Sequence, residues 1–264
     1  MRRYNISSVT NTSVMNISNI IITFANQKGG VGKSTLCAMF ATYVASLGYP
    51  VRVVDCDGQT TIALVRKKEQ QTSAADEDPM PEPYTIDIHP LTDPRTTHSM
   101  IASLVNFEGV VMIDAPGNLK EAGLVPIFAN SDFIICPFTL DKISIVSTAT
   151  FVMLINRLKA TIGEKFKTKT IFVPNRVDAR VGTAAEKKNI SATKLHLSHY
   201  GDISPEIGLR ACMQRVSTLT LSEEQTDVTA ETFEFLAQTL GMSAKTSADE
   251  TTTYAVNTQE ESHE

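Results

Sequence analysis

Short apolar runs rich in β-branched residues alternate with stretches of helical periodicity along most of this chain. Runs over residues 20–25, 51–54, 110–113, 133–136 and 170–173 read as buried strands, too short for helices and closed by turn residues. After the first run, Leu36, Met39, Phe40, Tyr43, Val44 and Leu47 recur at the spacing of one helix face and predict a helix over 34–47. The same signal predicts helices over 59–68, 96–105, 143–158, 183–199 and 228–240, the last closed by Gly241, and a short strand over 84–88. Strands alternating with helices imply a mostly parallel sheet with helices on both faces, a doubly wound α/β fold. Only the ends lack the pattern. Residues 1–18 are rich in Asn, Ser and Thr and predict a flexible leader, with Met15 an alternative start. Residues 242–264 predict an acidic, disordered tail, which leaves 19–241 as a single domain.

The ends of the predicted strands carry the chemistry. The first strand is followed by Gln27-Lys28-Gly29-Gly30-Val31-Gly32-Lys33-Ser34-Thr35, and then by the helix. In that setting the glycines let backbone N–H groups from Gly29 to Thr35 curl around phosphate oxygens, and the helix N-terminus adds positive potential. Lys33 is placed to reach β- and γ-phosphates, and the Ser34 hydroxyl to take a position on Mg²⁺. The general phosphate-loop pattern has Gly where this chain has Gln27, and Lys28 adds a second cation beside it. The second strand ends in Asp55-Cys56-Asp57-Gly58, whose two carboxylates share a side if the backbone is extended. The third long run, Val110-Val111-Met112-Ile113-Asp114, delivers another carboxylate, followed by Pro116-Gly117. Carboxylates at the carboxyl ends of parallel strands face the ligand crevice of such a sheet, close to a nucleotide-bound Mg²⁺.

The run from Lys28 to Thr35 resembles the deviant phosphate loop of the ParA/MinD superfamily of ATPases, most closely the ParA-type partition ATPases, and the likeness extends over about 20–240. The resemblance implies a P-loop NTPase fold, ATP and Mg²⁺ as cofactors, and an ATP-dependent homodimer. In that family the early lysine, here Lys28, reaches the nucleotide of the other subunit, while Lys33 acts in its own. Asp57 takes the role of the acid that positions the attacking water, with Gly58 where the family has proline, and joins Ser34 and Asp114 on the metal side. Asn175, with Arg176 beside it, falls at the adenine-recognising position, and Pro205 in the loop next to the base. Arg210 and Arg215 lie where relatives carry DNA-contacting basic residues.

Composition refines this picture without changing it. Four scattered cysteines, with no Cys-x-x-Cys pair, fit neither a zinc ribbon nor a disulfide framework and suit a reducing cytoplasm. Net charge is −5, yet residues 157–194 hold ten basic against three acidic side chains, Lys187 and Lys188 among them. Such a block reads either as a DNA-docking face or as a solvated surface. Residues 69–94 are acidic and proline-rich and read as a surface excursion.

The function expected from motifs and resemblance is DNA segregation by a slow ATPase. Its ATP dimer would bind DNA non-specifically on the nucleoid and release it on hydrolysis, stimulated by a ParB-like centromere-binding partner. A basic amphipathic membrane helix, as in MinD, is not expected from the acidic end of the chain. Cysteines placed to hold a cluster between subunits are missing, and only Tyr254 stands where a tyrosine-rich kinase tail would be. Two alternatives stay open: a nucleotide-switched scaffold or positioning ATPase for a conjugation or other protein complex, and a dethiobiotin-synthetase-like ligase, which would lack the Lys28 signature.

Overall fold

Seven strands, all parallel, form one sheet in the order β3-β2-β4-β1-β5-β6-β7. The structure, a computed structural model, describes residues 19–73, 80–91, 93–119, 121, 123–178, 180 and 182–242. The leader 1–18 and all but the first residue of the expected tail 242–264 lie outside them. The strands are β1 (Ile20–Phe24), β2 (Val51–Asp55), β3 (Thr85–Ile88), β4 (Val110–Asp114), β5 (Phe133–Phe138), β6 (Lys169–Pro174) and β7 (Asp202–Ile203). Between and after them run α1 (Lys33–Ser46), α2 (Thr61–Ser73), α3 (Pro94–Leu104), α4 (Leu124–Asn130), α5 (Lys142–Ile162), α6 (Ala184–Leu197) and α7 (Glu223–Thr239).

Alternation along β1 divides the core in two. Ile22 and Phe24 point to the layer built by α1 and α7, where Phe40, Tyr43 and Phe233 pack ring against ring. Ile21 and the adjoining Ala25 point to the layer of α3, α4 and α5, with Phe128 edge-on to Phe151. Burying both faces makes the central strands continuous apolar runs, as parallel sheets require. The chain winds β1, β2 and β4 to one side, then crosses to β5 on the other side of β1. Strand order therefore reverses at β1, and the crevice for a ligand opens at its carboxyl end.

Three elements differ from the sequence pattern, each for a local reason. Helix α4 carries no long stripe: it is only seven residues with Pro126 in its first turn, and it folds because Leu124, Ile127 and Phe128 are buried. Helix α7 starts at Glu223, ahead of its apolar stripe, because Ser222 and Gln225 form a reciprocal capping box. In the acidic stretch 69–94 the first residues extend α2 to Ser73 instead of leaving the surface, whereas the short strand expected over 84–88 forms as β3, pairing along β2 from Arg52↔Thr85 to Asp55↔Ile88 at the sheet edge. Residues 74–79 of that stretch lie outside the described ones.

Candidate functional site

Register brings the chemistry together. Asp114 is the Cα partner of Phe24 on one side and of Asp55 on the other, so the ends of β1, β2 and β4 are level. Above them a cavity of about 840 Å³ is lined by Gln27, Gly29, Gly30, Gly32, Lys33, Ser34 and Thr35, by Asp57 and Gly58, by Pro116 and Gly117, and by Asn175, Arg176 and 208–210 with Met213. Glycine is required at two places in the loop. Gly30 and Gly32 have φ of 77° and 101°, and a Cβ on Gly32 would lie 2.3 Å from Asn175 Nδ2. Gly32 is the N-cap of α1, so the helix opens directly onto the cavity with its first N–H groups unpaired by any side chain.

Lys33 is buried, and its ammonium lies close to Gly117 and the Gln27 carbonyl, at the head of the loop that follows β4. Lys28 does not line the cavity of its own chain. It is half-buried at the rim, its N–H donating 3.2 Å to Asn26 Oδ1, and its charge helps hold the Asp141 carboxyl low. Asn26 in turn donates to Pro137 O and Thr148 Oγ1, which ties the start of the loop to β5 and α5. Val31 is buried under the loop with only its backbone available.

The carboxylates separate into distinct environments. Asp57 is half-buried in the cavity wall, with Oδ1 accepting from Gln59 N at 3.0 Å. Asp55 is fully buried, and its Oδ2 accepts from Ile62 N and Ala63 N, holding the first turn of α2. Burial raises its pKa against those two N–H groups. Asp114 is also fully buried; neither of its oxygens, nor Asp55 Oδ1, has a hydrogen-bond partner. Burial pushes Asp114 up to about 7, opposed by the nearby Ser34 hydroxyl and Lys33 and reinforced by Asp55. Lone, buried carboxylate oxygens beside a Ser hydroxyl fit a divalent cation. Among the described residues no three His, Cys, Asp or Glu side chains form a metal cage. The donor set therefore suits Mg²⁺, which keeps waters and takes phosphate oxygens.

Asn175 and Arg176 stand differently from a free base-reading pair. Asn175 Nδ2 donates to Val31 O at 2.8 Å and so braces the phosphate loop, while its Oδ1 is taken locally by Arg176 N, which leaves neither end of the amide free. Arg176 holds φ 58° and its Nη1 reaches Gly30 O at 3.0 Å. Pro205 lies off the cavity, its carbonyl taken by the Ser204 and Thr232 hydroxyls. The wall on that side is instead made by 208–210, Met213, Gln214 and Val216, which no sequence motif marks. Arg210, expected as a DNA contact, lines the cavity; Arg215 pairs with Glu224 at 3.2 Å outside it. Lys187 and Lys188 are exposed on α6, away from the cavity lining.

Similar solved structures include a Borrelia burgdorferi B31 protein described as a plasmid partition protein and bound to AMPPNP, with 17% identity and a TM-score of 0.60 over 84% of this chain and 100% of that one. A variant of Cyanothece McdA in complex with ATP matches at 16% identity and a TM-score of 0.64, over 86% and 98%. MinD, a cell division protein of Aquifex aeolicus, matches at 17% and 0.60, over 83% and 97%. At these identities the likeness is one of fold. No curated protein matches the sequence. The family model for the CobQ/CobB/MinD/ParA nucleotide-binding domain matches residues 22–215, from inside β1 to the far wall of the cavity. With most of its length matched and ParA/MinD-type ATPases as its structural neighbours, the chain belongs to the CobQ/CobB/MinD/ParA nucleotide-binding domain family.

Proposed function

We propose that this protein is a partition ATPase of the ParA kind, in which ATP closes a homodimer that binds DNA non-specifically and hydrolysis opens it. The observation that carries the reading is the division of labour between two lysines of one loop. Lys33 is buried inside the cavity, whereas Lys28 stands half-buried at its rim, outside the lining of its own chain's cavity. A rim cation is available to a nucleotide held by a second copy.

Each residue then has a physical task. Backbone N–H groups of 29–35 and the α1 N-terminus bind the phosphates, and Lys33 neutralises the charge between β and γ. Ser34, Asp114 and Asp57 are the residues that would hold Mg²⁺, which when bound would supply positive charge against the phosphates. Asp57, free in the wall except for one turn-forming N–H, orients the attacking water. Gly58, next to it, leaves that loop without the stiffening a proline would give, which suits slow turnover that a ParB-like partner accelerates. In this reading the protein is cytoplasmic and joins the nucleoid when ATP is bound.

The test is duplex DNA binding by Asp57→Ala protein at fixed salt, with ATP–Mg²⁺ and again with ADP–Mg²⁺. Tight, salt-sensitive binding with ATP alone is expected. Binding in neither state, with nucleotide bound, would favour a nucleotide-switched scaffold. The description of one structural neighbour as a plasmid partition protein supports the partition reading.

A further inference from the structure

Helix α2 carries three consecutive basic-to-basic positions, Arg66, Lys67 and Lys68; the two lysines are exposed, and Arg66 is only 4% exposed. A guanidinium taken out of water must have its donors met, and here they are met by two other parts of the chain. Nε donates to Thr218 Oγ1 at 2.7 Å and Nη2 to Thr218 O at 3.1 Å. Nη1 donates to Glu82 Oε2 at 2.7 Å and to Tyr84 O at 3.0 Å, and the guanidinium lies 4.9 Å from the Tyr84 ring centroid. One turn on, Glu69 accepts from Thr218 N through both oxygens and from its hydroxyl. Thr218 is wholly buried, and α2 grips its backbone and side chain from both sides.

The positions of these groups in the chain give the network its meaning. Helix α2 begins at Thr61, itself in the cavity wall, directly after the loop that carries Asp57, Gly58 and Gln59. Thr218 follows directly on the stretch that supplies Leu209, Arg210, Met213, Gln214 and Val216 to the same wall. The two stretches pack on the same face of the sheet, Ile62, Met213 and Val216 sharing one apolar cluster, although more than a hundred residues separate them in sequence. No hydrogen bond to the cavity is made by Arg66 itself.

We infer that Arg66 is a positioning residue that locks the 208–216 wall to helix α2 and so shapes the part of the cavity beyond the phosphate loop, the part left for the base and ribose. The inference rests on the nucleotide reading of the cavity. It predicts that Arg66 matters to the nucleoside half of the ligand and not to the phosphate half, a distinction that general loss of structure would not make.

The experiment measures Mg²⁺-dependent binding of ATP and of inorganic tripolyphosphate to wild-type protein and to Arg66→Met, which keeps length and removes every donor. Tripolyphosphate affinity is expected to be unchanged, because 29–35 hold it, while the advantage of ATP over tripolyphosphate falls tenfold or more. Thr218→Val, which keeps shape and removes the hydroxyl that accepts from Arg66 and donates to Glu69, should shift the same ratio in the same direction, and the double variant should add little to either. It also serves if Arg66→Met does not fold. Equal losses for both ligands, or an unchanged ratio in both variants, would overturn the positioning role. Wild-type protein that binds tripolyphosphate but gains nothing from the nucleoside would overturn the nucleotide reading itself.

Discussion

Asp55 and Asp114 are Cα partners across β2 and β4, both fully out of solvent, and three of their four carboxylate oxygens meet no hydrogen-bond donor. Burial pushes Asp114 up to about 7, and the buried carboxylate of Asp55 beside it pushes in the same direction. Without nucleotide and metal this pair is a strain on the fold. A bound cation would relieve it.

A pH dependence follows, with a definite sign. The folded protein holds the Asp114 proton up to about 7, against an ordinary value of 3.8, so between those values it binds more protons than the unfolded chain. The contribution of Asp114 to stability is therefore full below about pH 4 and is lost as pH rises through about 7, amounting to about 4 kcal/mol at 1.36 kcal/mol per unit. Asp141, Asp178 and Glu186 are held low by their partners and act in the opposite sense, so the informative quantity is a difference between variant and wild type. Asp114→Asn should make the nucleotide-free protein more stable at pH 8, should flatten its pH profile, and should lose the stabilisation that ATP–Mg²⁺ gives. Denaturant unfolding at pH 5 and pH 8 checks this. A variant less stable than wild type at pH 8 would contradict the buried-charge account.

Gly32 and Gly29 differ in a way that sequence spacing hides. A Cβ on Gly32 would strike Asn175 Nδ2 at 2.3 Å on a backbone with φ 101°, whereas a Cβ on Gly29 would have nothing within 4 Å. Gly32→Ala should cost roughly 1–2 kcal/mol from the left-handed backbone alone. It should also break the bond from Asn175 to Val31 O that braces the loop. Gly29→Ala should stay within about 0.5 kcal/mol of wild type. Thermal unfolding without nucleotide separates them, and equal effects would mean that the brace is not part of the folded state.

Much of this was legible beforehand because short-range chemistry wrote it. The β1–loop–α1 unit needs glycines at fixed offsets and a lysine and serine just after them, and the β2 and β4 carboxylates come at the ends of apolar runs. What could not be read is long-range. Met213, Gln214 and Val216 line the cavity through no motif, brought there by a 3₁₀ turn and the Arg66–Thr218 contact. The amide of Asn175 has the right strand end for reading a base, but its two hydrogen bonds to Val31 and Arg176 depend on where the neighbouring loop falls. Pro205 illustrates the same limit, one turn of chain away from the wall that 208–210 supply.

The two lysines of the loop should separate binding from assembly. Lys33→Ala removes the one buried cation near the phosphate site among the described residues and should abolish ATP binding. Lys28→Ala removes a rim charge and should leave ATP binding within about tenfold while preventing the ATP-dependent dimer, since in the proposed reading the missing charge serves the other subunit's site. Light scattering after gel filtration, in an Asp57→Ala background with ATP–Mg²⁺, measures this. A Lys28→Ala protein that still dimerises with ATP would remove the cross-subunit role.

The four basic residues expected to touch DNA are not equivalent in the structure, and that makes their contributions separable. Arg215 is paired with Glu224, and Arg210 belongs to the cavity wall. Lys187 and Lys188 are exposed in the first turns of α6 and form no ion pair among the described residues, while the adjacent Glu186 is committed to the Thr183 capping box. Its carboxylate is held low by the Thr183 N–H, so it is bound to the helix start rather than to either lysine. Unpaired cations release counterions on meeting a phosphate backbone; each such contact contributes about 0.9 to the slope of log affinity against log salt. Lys187→Glu with Lys188→Glu should therefore weaken duplex binding uniformly across sequences and reduce that slope by about 2. Arg215→Ala should change it by less, because its charge is already partly spent on Glu224. A titration from low to moderate salt with ATP-bound protein gives both numbers, and a slope unchanged by the double reversal would take α6 out of the DNA-binding surface.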